Sequence, residues 1–363
     1  MKKTIFNELH KQNEAKMVEF AGFEMPIQYK NGIIHEHKVV REKVGVFDVS
    51  HMGEFDVLGP DALAYVQKIT VNDASKLVPG KVQYSAMTRT NGCIVDDLLV
   101  YCLGDNHYML VVNGANVEKD YQWCKENTKE FDLTLGDISD DIHLLAVQGP
   151  ESMNVLQELT DVDMSKIAFY TFVEGTLAGV DMIISRTGYT GELGYELYFR
   201  GDFDKAQKVW NGVFAAGEKF GIEPVGLGCR DTLRLEKCYM LYGNDIDETT
   251  NPIEAGLGWI TKLSKGVFNG SGVIAKVKEE GPKRKLVGFL TETERFIPRH
   301  GYKIFSDGKE VGYVTSGNMS PSLGKPIALG YVPAELAKAG TKIEIEARKK
   351  FFTAEIVKTP FLK

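Results

Sequence analysis

Two acids interrupt an otherwise aliphatic stretch at Ile94-Val95-Asp96-Asp97-Leu98-Leu99-Val100-Tyr101. In an extended chain the side chains alternate, so Ile94, Asp96, Leu98 and Val100 share one face while Val95, Asp97, Leu99 and Tyr101 share the other. The two carboxylates therefore cannot act as a dyad. A carboxylate among apolar neighbours is costly unless hydrogen-bonded or functional, so the spacing suits either an edge acid capping a neighbouring loop or an acid kept for function. A second constellation, Arg186-Thr187-Gly188-Tyr189-Thr190-Gly191-Glu192-Leu193-Gly194-Tyr195-Glu196, carries the spacing G-x-x-G-x-x-G. It is neither a dinucleotide fingerprint nor a phosphate loop, since no Gly-Lys-Ser/Thr follows and no helix opens there. Its glycines would let the backbone approach a flat ligand, with Tyr189 as a stacking face and Glu196 as a bidentate acceptor; a plain glycine-rich turn is the alternative. Asp48-Val49-Ser50-His51 reads as a helix cap followed by a lone histidine, and Arg230 as a surface ion pair or an anion clamp. Tyr84, Tyr101, Tyr170 and Tyr239, taken singly, read as core or interface aromatics.

Positioning these groups requires sheets. Val82–Thr88, Cys93–Leu103 and His107–Val112 have strand composition. Asn91-Gly92 joins the first two, because both residues tolerate positive φ, and Gly104-Asp105-Asn106 separates the second from the third. With helices expected at Pro60–Thr70 and Asn116–Thr128, residues 55–136 form an antiparallel α+β unit. Strands follow at Ile142–Val147, Asp181–Ser185 and Tyr195–Phe199, and Gly149-Pro150 opens a helix through Leu159. Phe203, Ala206, Val209, Trp210, Val213, Phe214 and Gly217 make one helical apolar face. A second amphipathic helix spans Gly228–Leu241. Lys276–Lys285 reads as a charged linker, and from Leu286 short strands separated by turns predict a small barrel or sandwich.

The chain has 363 residues, 43% hydrophobic and 26% charged, which implies two or three domains and excludes global disorder. A net charge of −7 with a pI near 5.6 argues against a nucleic-acid surface. The runs 281–285 (GPKRK) and 348–350 (RKK) are local basic exceptions, either solvated faces or docking points for an acidic partner. Five cysteines without C-x-x-C spacing support neither a disulfide framework nor a zinc cluster. No stretch is long and apolar enough for a bilayer, and the charged start MKKTIFNELHKQNEAK lacks a signal-peptide core, so the expected placement is cytoplasmic, or the mitochondrial matrix in a eukaryote.

Eight ordered blocks together resemble the glycine cleavage T-protein family over nearly the whole chain. They are MVEFAGFEMP (17–26), VGVFDVSHMGEF (44–55), NGCIVDDLLVY (91–101), VVNGAN (111–116), SRTGYTGELGYE (185–196), GLGCRDTLRLE (226–236), NPIEAGLGWITK (251–262) and TSGNMSPSLGKPIALGYV (315–332). The resemblance implies an α+β, three-domain, cloverleaf-like folate-binding fold. Residues 1–54 plus 137–270 would form a discontinuous folate-binding domain, 55–136 an inserted domain and 282–363 a carboxy-terminal β-barrel. It also implies an aminomethyltransferase that moves a one-carbon unit from the aminomethyl-lipoyl arm of the H protein to tetrahydrofolate, with no metal. In that reading Asp97 matches the family's acid, with Asp96 the second choice. Glu196 takes the pterin edge with Tyr189 beside the ring, Arg230 and Asn113 add polar contacts, and Tyr84, Tyr101, Tyr170 and Tyr239 line the cavity.

Phe23 stands where the family commonly has Trp, Asn91-Gly92-Cys93 where it has Gly-Gly, and the ending Pro360-Phe361-Leu362-Lys363 is short and less basic. Folate-dependent demethylating modules share the fold but are attached to a flavin domain. A non-catalytic iron–sulfur assembly relative carries K-G-C-Y-x-G-Q-E, against Lys265-Gly266-Val267-Phe268-Asn269-Gly270-Ser271-Gly272 here.

Overall fold

A computed structural model describes all residues, Met1–Lys363. Its strands in chain order are β1 (Lys16–Phe20), β2 (Phe23–Gln28), β3 (Val44–Asp48), β4 (Gly53–Leu58), β5 (Val82–Thr88), β6 (Ile94–Gly104), β7 (His107–Val112), β8 (Thr134–Asp137), β9 (His143–Gln148) and β10 (Phe172–Leu177). Then come β11 (Val180–Ser185), β12 (Gly194–Phe199), β13 (Ile222–Pro224), β14 (Arg284–Thr291), β15 (Lys303–Ser306), β16 (Lys309–Ser320), β17 (Lys325–Pro333), β18 (Lys342–Ala347) and β19 (Lys350–Val357). The α-helices are α1 (Asn7–Gln12), α2 (Ile33–Glu42), α3 (Ala62–Ile69), α4 (Val117–Glu126), α5 (Ser152–Gln157), α6 (Phe203–Gly217), α7 (Leu227–Glu236) and α8 (Ser271–Glu280). The chain forms two compact units, one of residues 1–66, 74–84 and 98–231, the other of 67–73, 85–97 and 232–363.

In the first unit a six-stranded sheet has the order β10-β11-β12-β9-β3-β13, antiparallel except for the β13–β3 pair. The segregated helices and mostly antiparallel pairing make this α+β. Val44, Val46, Leu145, Val147, Leu197 and Phe199 pack with Trp210 and Val213 of α6. Asp202 starts α6 by accepting from Lys205 N at 3.1 Å, and Phe203, expected on the inward face, is instead 39% exposed. Another sheet runs β5-β6-β7-β4-β8. Asp48 is a correction to the sequence reading: it caps no helix but ends β3 fully enclosed, accepting from Thr4 Oγ1 (2.6 Å), His10 Nε2 (2.9 Å) and Ser50 N (3.0 Å).

The second unit contains a closed barrel, β14-β17-β16-β15-β18-β19, filled by Phe289, Ile304, Val314, Ala328, Ile343, Ile345 and Ile356. Closure removes the edges that a sandwich would leave. Half of the expected linker 276–285 is helical, since α8 runs to Glu280, and its last two residues already belong to β14, which starts at Arg284. Helix α7 stops at Glu236, five residues before the expected end. Cys238 adopts a left-handed φ of 57°, its N–H donates to Leu235 O, and Tyr239 N–H donates to Arg234 O, both at 3.0 Å. This is the Schellman ending that glycine usually signals. At Asn91-Gly92 only glycine takes positive φ (79°), while the Asn91 side chain accepts from Cys93 N at 3.0 Å.

Candidate functional site

The segment 186–196 connects β11 to β12 in the first unit, and Gln148, at the end of β9, anchors it. Its amide donates to Thr187 O (3.2 Å) and accepts from Thr190 Oγ1 (2.8 Å). A Cβ on Gly188 or Gly194 would come within 2.1 or 2.3 Å of that amide group. These two glycines therefore make room for Gln148. Arg41 fastens the outer turn by donating to Thr190 O (2.7 Å) and Glu192 Oε1 (2.9 Å).

The anchored segment delivers Glu196 to a cluster of hydroxyls. Thr187 Oγ1 donates to Glu196 Oε2 at 2.5 Å, and Tyr198 OH donates to the same oxygen at 3.3 Å. Tyr101 OH donates to Tyr198 OH (3.0 Å) and lies 3.0 Å from Ser185 Oγ and 3.3 Å from Thr187 Oγ1. Each hydroxyl has one proton, so the chain of donors runs toward the carboxylate and both contacts fall on one oxygen. Burial raises the Glu196 pKa, opposed by these hydrogen bonds and by Arg230. Tyr101 is fully buried, so it stands behind Glu196 rather than on an open wall.

Arg230, in the first turns of α7, lies with its guanidinium carbon 4.5 Å from the Tyr189 ring centre, within cation–π range. The tyrosine face and the arginine are thus brought together. His51, 2% exposed, is pushed down to about 4 by burial and by the Arg230 charge, and its Nδ1 has no hydrogen-bond partner. Glu54, 1% exposed, has neither carboxyl oxygen partnered.

Tyr170 is half-buried at φ 59°, a conformation costing roughly 1–2 kcal/mol for a non-glycine residue. It is held there because its N–H donates to Arg186 O (3.1 Å) and its C=O accepts from Val82 N (2.9 Å). Tyr84 is half-buried on β5, and Asn113 is half-buried where β7 ends and a one-turn helix begins. Asp97 and Tyr239 belong to the second unit. Asp96 is fully buried in line with Ile94 and Leu98, whereas Asp97 is partly exposed. Tyr239 follows the Schellman turn, half-buried. Thr187, Ser185, Tyr198 and Glu54 are given no role by the sequence, which marks His51 only as a lone histidine; period-two alternation in β12, which sets Gly194, Glu196 and Tyr198 on one face, is the available signal for Tyr198. No group of three or more His, Cys, Asp or Glu side chains is arranged to hold a metal ion, and no helix is long and apolar enough to cross a membrane.

A family model described as the GCVT N-terminal domain matches residues 6–265, and one described as the glycine cleavage T-protein C-terminal barrel domain matches 284–363. An aminomethyltransferase of Halothermothrix orenii is 51% identical over 362 residues, and one of Bacteroides thetaiotaomicron 54% identical over 366, each covering all of both chains. The crystal structure of glycine cleavage system aminomethyltransferase T from Bartonella henselae superimposes with a TM-score of 0.92 at 33% identity, covering 99% of this chain and 98% of that one. At the position where the iron–sulfur relatives carry cysteine, Val267 is 86% exposed, so that alternative has no thiol to use. With its two matched regions, its hydroxyl-held glutamate and its closed barrel, the chain belongs to the glycine cleavage T-protein family of aminomethyltransferases.

Proposed function

We propose that the chain transfers the one-carbon unit of an aminomethyl group, carried on the lipoyl arm of an H protein, to tetrahydrofolate. Balanced, the S–CH2–NH2 adduct loses its nitrogen as ammonia and its sulfur as the dihydrolipoyl thiol, while the methylene bridges two folate nitrogens. The two N–H protons those nitrogens give up end on sulfur and ammonia. The adduct is a poor electrophile until ammonia leaves, and the sulfur-stabilised methylene cation generated by that departure must be captured by a folate nitrogen already in place. The observation carrying this reading is Glu196: two hydroxyl donors occupy both acceptor sites of Oε2, which leaves the two sites of Oε1 to accept N–H donors of a pterin edge. Tyr189, backed by Arg230, supplies the ring face. Asn113, Tyr84, Tyr170 and Tyr239 complete the folate contacts, Tyr101 acts through the hydroxyl chain, and Asp97 steadies the developing cation and relays the proton.

The test is ammonia release from aminomethyl-loaded H protein with and without tetrahydrofolate. Release should require the folate, and folate affinity should fall as pH drops through the raised pKa of Glu196, because a protonated carboxyl accepts one fewer N–H. Release that is equally fast without folate overturns the reading.

A further inference from the structure

Glu54 is a buried acid that the reaction leaves unused. Its backbone is satisfied, with Glu54 N donating to Ser139 Oγ and Glu54 O accepting from Ile138 N, both at 3.0 Å. Its side chain is not, since both oxygens lack partners at 1% exposure. The strand register says which way the side chain points. Glu54 of β4 lies opposite Val111 of β7, which lies opposite Leu99 of β6, and residues directly opposite share a face. Leu99 shares its face with Tyr101, whose hydroxyl begins the donor chain to Glu196.

The titratable groups bearing on Glu54 are Asp137 at the end of β8 and Glu196 of β12, and Glu54 in turn bears on the Tyr198 phenol of β12. None is a cation. An ionised carboxylate at this place would lose its water, gain no donor and face two other acids, which together favour the protonated form. Glu196, by contrast, has two hydroxyl donors and Arg230 to hold an anion.

We propose that Glu54 is a positioning residue kept as an uncharged carboxylic acid, so that it adds no further negative charge beside Glu196. A second anion there would draw a proton onto Glu196 and take away its power to accept two N–H groups from a ligand. The inference rests on the reading of Glu196 as the pterin acceptor.

Glu54→Gln, isosteric and permanently neutral, tests it in three measurements. Infrared spectra at neutral pH should show the C=O stretch of a protonated carboxyl in the wild type, and E54Q should lack it. In denaturant unfolding, a folded-state pKa above the unfolded value of about 4.3 means that the wild type loses stability as pH rises, because the unfolded chain releases a proton the folded one keeps. The advantage of E54Q should therefore grow by up to tenfold in unfolding equilibrium constant per pH unit above about 4.3. Calorimetry with 5-formyltetrahydrofolate as a stable probe should place the acid-side loss of affinity at the same pH in E54Q and wild type. A missing band, a pH-independent stability difference, or an acid-side loss moved by a pH unit or more overturns the proposal. Wild-type protein that binds no folate overturns the Glu196 reading instead, and the first two measurements, which contain no folate, tell the two failures apart.

Discussion

Asp96 and Asp97 differ by one position and by everything that matters for chemistry. Asp96 is fully enclosed, flanked on its face by Ile94 at 0% and Leu98 at 3% exposure, where a charged group is structural. Asp97 is partly exposed and shares its side of β6 with Leu99 and Tyr101. Asp97→Asn, which keeps size and removes charge, should therefore lower turnover by about 10²–10⁴-fold while folate affinity stays within a few fold. Asp96→Asn should act mainly on the melting temperature. Rates of both variants, compared once each is shown to be folded, decide the matter: near-normal turnover for Asp97→Asn, or a larger rate loss for Asp96→Asn, would mean the strand presents its other face to the substrate.

Among the elements, the β11–β12 connection works as a rigid bracket whose pin is Gln148. Gly194→Ala would place a methyl group 2.3 Å from the Gln148 amide, so that amide must swing away from Thr187 O and Thr190 Oγ1. Overpacking of this kind typically costs about 1–3 kcal/mol. Because the displaced segment carries Tyr189, Thr187 and Glu196, the KM for folate should rise more than kcat falls. In a Gln148→Ala background the same methyl group should cost less, and a double-mutant cycle measures the difference. Equal costs in both backgrounds would show that Gln148 is not the obstruction. The ending of α7 makes a related point: Cys238 occupies the left-handed position that stops the helix, held by bonds from Cys238 N and Tyr239 N to carbonyls of the last turn. Without glycine or asparagine there, nothing local announced it.

For the molecule as a whole, charge decides where an acidic carrier would dock. The net charge is −7, yet Lys283 just before β14, Lys285 at its start, and Arg348 and Lys349 in the β18–β19 turn are exposed. Arg284, between the first two, is already committed: it bonds Glu254 (3.2 Å) and Thr249 O (2.9 Å) and lies 4.7 Å from the Tyr331 ring centre. Reversing the charges of the four exposed residues, and sparing Arg284, should raise the KM for lipoylated H protein at low salt with little effect on kcat. The increase should fade as ionic strength shortens the screening length to about 8 Å or less. An unchanged KM at low salt would locate docking on another surface.

Much of this was already written in the chain. Alternation in β6 separated Asp96 from Asp97, helical periodicity placed α6, and the turn-separated strands after residue 284 announced a small β domain, because each signal is carried by residues close in sequence. The family blocks likewise named Glu196, Tyr189 and Arg230 as partners of one ligand. What the chain could not show were the conditions set by residues distant in sequence. The glycines at 188 and 194 answer to Gln148, forty or so positions earlier. The charge of Glu196 answers to hydroxyls at 101, 187 and 198, and the idleness of Glu54 follows from which strands lie beside β4. Burial and hydrogen-bond partnership are properties of the packed chain, so the tertiary structure alone decides which acids are anions and which are kept neutral.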